Sequence, residues 1–286
     1  MNIVQLAQGS QAWLDYRRNM RNASETAAVL GVNPWMTPYQ LWLLKTGRLT
    51  PKVTPAMQHG TELEGSARLA YEQHTGNIMQ PIVLQDGAYS ASLDGMDLDG
   101  QLIVEIKCPY KGKASELWNM AIEGQVPEYY ALQVQHQLMV SRATKAHLWV
   151  FDGSQGLLLN LEPEAATAER ICQGWDAFQA YLDTDTAPPL TDADTVLRKD
   201  AVWAQAAQAF TQARSTAEQA DAALARAREV LVGLATHVRE QGAGVSVTRF
   251  WKAGAVDYKR VPQLQGVDLE QFRAKAREEV RVSATG

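Results

Sequence analysis

The sequence predicts an α/β fold with a central mixed β-sheet flanked by helices, followed by a C-terminal extension of helix and hairpin. Three observations predict it. Strand-like and helical segments alternate between residues 10 and 161, an acidic, proline-containing stretch follows at 183–195, and a heptad-patterned segment lies beyond it. The expected domains are 1–190 and 191–286.

Residues 10–20 read as a short amphipathic helix with Trp13, Tyr16 and Met20 on one side and Arg17 and Arg18 on the other. Ser24 is a candidate N-cap for a short helix ending near Gly31. Thr37 and Pro38 open another helix, which Gly47 closes, and a further helix over about 57–74 carries Glu64 four residues before Arg68. Residues 81–93 and 101–107 have the alternation and β-branched content of strands. Pro127 starts a helix through about Val140, and 146–151 with 157–161 form a strand pair. After the linker, a long helix over about 196–241 repeats every seven residues through Val196, Trp203, Phe210, Ala217, Leu224, Leu231 and Val238. Such a seam packs against its own core, against a second arm if the helix hairpins near Ser215, or against another chain. A hairpin is expected around Ala253-Gly254, with Arg249, Lys252, Lys259 and Arg260 among Phe250, Trp251 and Tyr258. That mixture suits either packing or single-stranded DNA.

Composition narrows the class. An apolar fraction of 46% and a charged fraction of 21% are ordinary for a globular protein, and no apolar run approaches the length of a membrane span. The N-terminus lacks signal-peptide order, and Cys108 and Cys172 supply neither a disulfide framework nor a cysteine-bound cluster. A reducing cytoplasmic setting is expected. The net charge of −5 is unevenly spread. Arg17, Arg18, Arg21, Lys45, Arg48 and Lys52 outweigh Asp15 and Glu25 in the first 52 residues, whereas 53–113 is acidic. A basic region beside an acidic metal site suits a phosphate-bearing substrate, and plain solvated faces have the same composition.

The chemistry concentrates in residues 94–107. If Asp99-Gly100 is a two-residue hairpin turn, facing residues have numbers summing to 199, so Asp94 faces Glu105. Lys107 follows Glu105 by two residues and shares its face. Asp97 should point the other way, and Asp99 is used by the turn. Two carboxylates this close call for a cation, and a hard divalent ion takes oxygen ligands while leaving positions for phosphate and water. An ammonium beside it orients or deprotonates the attacking water. An ordinary hairpin whose acidic pair is neutralised by Lys107 has the same pattern.

Asp94 with Glu105-Ile106-Lys107 resembles the PD-(D/E)XK nuclease signature, with Leu93 in place of the usual proline. Flanking blocks are similar to the YqaJ or lambda-type phage recombination exonucleases. They are Ala12-Trp13-Leu14-Asp15-Tyr16-Arg17 with Ala23-Ser24, Asn33-Pro34-Trp35, Thr37-Pro38-Tyr39, Lys45-Thr46-Gly47 and His59-Gly60-Thr61-Glu62-Leu63-Glu64. Ser92-Leu93-Asp94-Gly95, Glu105-Ile106-Lys107-Cys108-Pro109 and Tyr130-Ala131-Leu132-Gln133-Val134-Gln135 follow in the family's order.

The resemblance implies a PD-(D/E)XK core in which Asp94, Glu105, the Ile106 carbonyl and Glu64 hold two Mg²⁺ ions, with Mn²⁺ as a substitute. It makes Lys107 the water-orienting residue or general base, Gln133 its support, and Arg17 with Ser24 a pocket for a 5′-phosphate. It also implies 5′-to-3′ digestion of linear double-stranded DNA to mononucleotides, a homotrimer ring, a single-strand annealing protein as partner, and a bacterial host cytoplasm. By themselves, Glu64 reads as an ion pair with Arg68, Ser24 as a cap, Arg17 as a solvated cation, Cys108 as a packed thiol and His59 as structural. The competing readings are a PD-(D/E)XK endonuclease acting in restriction or on branched DNA, and a binding protein that has lost catalysis. The second lacks its expected mark, a missing carboxylate or lysine.

Overall fold

The computed structural model describes residues 1–6, 9–252, 254, 261–264 and 266–267. The chain divides into two compact units, Met1–Thr195 and Val196–Gly286.

The first unit is built on a seven-stranded mixed sheet. Its strands are β1 (Asn2–Ile3), β2 (Arg21–Asn22), β3 (Gln80–Asp86), β4 (Tyr89–Met96), β5 (Leu102–Lys107), β6 (Lys145–Phe151) and β7 (Gly156–Leu161). The order is β1-β3-β4-β5-β6-β7, with β2 joining β4 in parallel. Strands β5 and β6 also run parallel; the other neighbouring strands pair antiparallel. The sequence reading had 81–93 as a single strand. Gly87, at φ +60°, instead turns the chain and divides it into β3 and β4.

The helices are α1 (Gln11–Arg18), α2 (Thr26–Val29), α3 (Pro38–Lys45), α4 (Pro55–Thr75), α5 (Glu116–Ile122), α6 (Glu128–Ser141) and α7 (Ala165–Asp183). Thr37 caps α3 through a capping box with Gln40, and Thr54 caps α4. Ser24 is not an N-cap: it lies inside a 3₁₀ turn, Ala23–Glu25, that leads into α2. Helices α5 and α7 were not foreseen, although Ile171, Trp175 and Phe178 of α7 have helical spacing and are buried.

Two apolar layers sandwich the sheet. On one side Val134 and Leu138 of α6 pack on Leu93, Met96 and Ile103; on the other Ala67 and Tyr71 of α4 pack on Val104, Ile106 and Trp149. Gly95 permits that second contact, because a Cβ there would stand 2.6 Å from the Cβ of Met79 and 2.8 Å from Val104. A third cluster joins α2, α3, α6 and α7 through Ala28, Trp42, Leu132 and Trp175.

In the second unit, α8 (Ala201–Leu234) is one unbroken helix capped by Asp200, so it does not hairpin near Ser215, and Val196 and Val238 lie outside it. Among the described residues, none of its side chains is buried. A hairpin forms from β8 (Arg239–Gly242) and β9 (Val245–Thr248), turning at Ala243-Gly244, while the hairpin expected around Ala253-Gly254 falls largely outside the described residues. Arg249 donates to the carbonyls of Val232 and Ala235 and so closes the end of α8. Ala253, Tyr258, Lys259 and Arg260 lie outside the described residues. Among those described, no helix is long and apolar enough to cross a membrane.

The interior of the first unit holds a titratable group with a defined pH signature. His136 of α6 is fully buried, with Nδ1 2.6 Å from the Thr26 hydroxyl, which also accepts from Trp175 Nε1 at 3.1 Å. Burial holds this imidazole down to about 3 from an ordinary 6.5. The folded state therefore keeps it neutral, while the unfolded chain takes up a proton near 6.5. Its contribution to stability is complete above that pH and is lost as the pH falls toward about 3. Urea denaturation at pH 7 and pH 5 should show the wild type losing stability relative to His136→Gln, with a limiting slope of about 1.4 kcal/mol per pH unit. Equal pH dependence in the two proteins would contradict this.

Candidate active site

The β4–β5 hairpin sets the site. Gly95 pairs with Val104 and Met96 with Ile103, which is the register the sum of 199 predicts. The turn is longer than two residues, however. Asp97 N–H bonds to the Leu102 carbonyl, and Asp97 Oδ1 accepts from the amides of Gln101 and Leu102 at 2.8 and 3.1 Å. Asp97, rather than Asp99, organises the turn.

Met96 and Ile103 face α6, and the period of two along β5 carries Glu105 and Lys107 to the same side, whereas a register shift in the β3–β4 pairing interrupts the alternation of β4 around Asp94. The Asp94 carboxylate accepts from the Ile106 amide at 2.7 Å, taking the place of a backbone acceptor beyond the last paired residues. Glu105 is 3% exposed and fully engaged. Its Oε1 accepts from Lys107 Nζ at 2.5 Å and from Gln133 Nε2 at 2.6 Å, and its Oε2 from Gln137 Nε2 at 2.5 Å. Lys107 also donates to Gln133 Oε1 at 3.3 Å and lies 4.9 Å from the centre of the Tyr130 ring.

Burial and the neighbouring Glu105 hold the Asp94 carboxyl well above the usual carboxylate range, against Lys107 and the Ile106 amide, with Glu64 pushing the same way. Burial alone would lower Lys107, but Glu105, Tyr130 and Asp94 outweigh it, so its pKa is raised. As these residues stand, Glu105 favours the ammonium form of Lys107. Burial, with Asp94 and Glu64, pushes the Cys108 thiol up to about 11, which leaves it inert at neutral pH.

Glu64 does form the ion pair with Arg68, at 3.6 Å, and Arg68 donates to the main-chain carbonyl of Asp94 at 3.2 Å. Arg68 thus connects α4 to the hairpin. Among the described residues, no three His, Cys, Asp or Glu side chains converge closely enough to complete a metal site. The donor set still suits a hard divalent cation. It is all oxygen, and the raised Asp94 carboxyl marks a place short of positive charge.

Arg17 and Ser24 meet as expected, Nη2 to Oγ, at 2.8 Å. Glu25 joins them, 3.6 Å from Arg17 and 2.6 Å from the buried Lys45. Lys45 also donates to the carbonyls of Arg17 and Met20. The N-terminal cations are therefore less free than their count implied: Arg21 pairs with Asp176 at 2.6 Å and Arg48 with Asp185 at 2.7 Å. Arg17 lies 4.5 Å over the Trp13 ring. Trp13 lines a cleft of about 840 Å³ together with Glu64 and Arg68.

Sequence reasoning missed Gln137, Glu25, Lys45 and the bridging role of Arg68. Gln133 and Gln137 stand four residues apart, and that spacing was the available signal for Gln137.

The YqaJ-like viral recombinase domain matches residues 12–145, a span that holds every site residue above. Over residues 12–145 the chain is similar to that family. An uncharacterised protein of Bacillus subtilis (strain 168), YqaJ, is 31% identical over 134 residues, covering 45% of this chain and 41% of that protein. The chain thus spans about two-fifths of this curated relative. An alkaline exonuclease from Laribacter hongkongensis superposes with a TM-score of 0.53 at 25% identity, over 62% of this chain and 94% of the exonuclease. The same exonuclease in complex with dAMP gives 0.53 at 24%. The mixed sheet and its flanking helices in the YqaJ-like domain are a nuclease fold.

Replacing Gln137 by Leu removes one of three donors to a buried carboxylate. Thermal or urea unfolding should show a loss of about 1–3 kcal/mol. Unchanged stability would mean that Gln137 does not support Glu105.

Proposed function

We propose that this protein is a metal-dependent DNA nuclease, specifically a 5′-to-3′ exonuclease that digests one strand of linear duplex to 5′-mononucleotides and leaves 3′ single-stranded tails for strand annealing. The observation that carries the reading is the Asp94, Glu105 and Lys107 patch braced by Gln133 and Gln137, inside a domain similar to an alkaline exonuclease known with dAMP bound.

Asp94, Glu105, Glu64 and the Ile106 carbonyl are the groups that would hold Mg²⁺, or Mn²⁺ in its place. When bound, a pair of such ions supplies Lewis acidity at the phosphodiester oxygens and lowers the pKa of water. The chain's own residues do the rest. Lys107, held protonated, donates a hydrogen bond that orients the attacking water and screens charge developing on the phosphate. Gln133 fixes the Lys107 ammonium and Glu105 relative to each other. Arg17 grips the terminal 5′-phosphate with the Ser24 hydroxyl, and Glu25, neutralised by Lys45, sets the guanidinium's angle.

A ring of three copies, a single-strand annealing partner and a reducing bacterial cytoplasm complete the proposal, and they rest on the family resemblance. A monomeric mass in solution with and without DNA would count against the ring, and titration without binding against the partner.

The deciding experiment digests linear duplex bearing a 5′-phosphate or a 5′-hydroxyl, with closed circular duplex as control, in Mg²⁺ and in chelator. Release of mononucleotides only from linear DNA, faster with the 5′-phosphate and abolished by chelation, is expected. Asp94→Asn and Lys107→Ala should lower the rate by at least about 100-fold. Arg17→Ala should remove the preference for the phosphate. Cutting of the circle would make the protein an endonuclease, and no hydrolysis of any DNA would end the nuclease reading.

A further inference from the structure

Three aromatic rings lead from Lys107 to the surface, and no role described so far uses them. Tyr130, at the start of α6, has its ring 4.9 Å from Lys107 Nζ. It meets Tyr129 at 4.5 Å between centroids, and Trp35 lies 5.1 Å from Tyr129 and 6.3 Å from Tyr130. Both tyrosines are half-buried, whereas Trp35 is 67% exposed. Trp35 does not dangle. Asn33 Oδ1 accepts from the Trp35 amide at 2.8 Å, so the loop between α2 and α3 is turned in place, and Pro34 fixes the backbone before it.

A single exposed tryptophan is unremarkable on a protein surface. The position of this one is what matters. Its ring stands nearly perpendicular to that of Tyr129 while most of its surface stays open, and it lies one tyrosine away from the ammonium assigned to the scissile phosphate. A nucleotide whose phosphate lies at Lys107 carries its base about one sugar away, the same order of distance. The rings offer flat, uncharged surface, which complements the π-face of a base and not a sugar or a phosphate.

We propose that Trp35, backed by Tyr129 and Tyr130, is a stacking platform for a nucleobase flanking the scissile phosphodiester. The inference rests on the nuclease reading and deepens it. The platform is indifferent to sequence, because every base has a π-face. It holds the reacting strand by its base while Arg17 and Lys107 hold it by its phosphates. Trp35 is thus a positioning residue.

The test compares the wild type, Trp35→Ala and Trp35→Phe as full chains on linear duplex with a 5′-phosphate. The first or second nucleotide of the digested strand is either intact or an abasic analogue. On intact DNA, Trp35→Ala should lower kcat/KM for release of the first nucleotides about 5- to 100-fold, and Trp35→Phe should retain most of it. The abasic analogue at one of the two positions should slow the wild type and erase the difference between it and Trp35→Ala. A loss that is equal on intact and abasic DNA at both positions would show a structural or protein-docking role and overturn the proposal. So would an alanine variant as active as the wild type. If the wild type hydrolyses no linear duplex at all, the nuclease reading itself fails, a distinct outcome that removes this inference with it.

Discussion

The first unit is organised around a carboxylate kept out of water. Glu105 sits on β5, in the middle of the sheet, where an ionised side chain without partners costs several kcal/mol. Lys107 from the same strand and Gln133 and Gln137 from α6 between them supply a donor to each oxygen. This fixes more than one charge. It requires α6 to cross β5 at a single height and rotation, which in turn brings Val134 and Leu138 onto the sheet and Leu132 into the cluster with α2, α3 and α7. Polar register and apolar packing specify the same arrangement. The cooperative cost of disturbing either is what makes the site rigid.

The second electrostatic network follows the same logic with the signs exchanged. Lys45 is buried, which lowers its pKa, and Glu25 opposes that shift. Two main-chain carbonyls occupy the remaining ammonium donors. Glu25 is thereby committed to Lys45 on one side and leans on Arg17 with the other oxygen. A guanidinium held by a partly neutralised carboxylate, a serine hydroxyl and the Trp13 ring is pre-oriented while retaining donors for an anion.

The two networks differ in how readily sequence reveals them. Residues 94–107 are local: the hairpin register follows from a sum and the shared face of Glu105 and Lys107 from a strand period, so Asp94, Glu105 and Lys107 were named together. Its turn was read wrongly because Asp-Gly is a strong hairpin signal. An Asp two residues earlier instead accepted two amides and enlarged the loop. Glu25 and Lys45 are twenty residues apart and meet only in the folded chain; the Lys45-Thr46-Gly47 block marks the lysine but nothing marks its partner. The split of β3 from β4 hinged on one glycine in an otherwise continuous strand pattern, and α7 on a spacing of apolar residues that polar neighbours obscured.

The sequence by itself determined the α/β class, the hairpin register and the grouping of Asp94, Glu105 and Lys107, along with the Arg17–Ser24 pairing carried by the family blocks, because each depends on short-range periodicity or on residues in fixed order. Tertiary structure alone decided that Gln137 completes the Glu105 cage, that Arg68 ties the Glu64 helix to Asp94, and that the N-terminal cations are mostly engaged within the fold. It also decided that three aromatic rings from two distant segments adjoin Lys107. Those facts depend on which helix crosses which strand and at what height. That is set by the sum of apolar contacts across the whole core, which no local pattern contains.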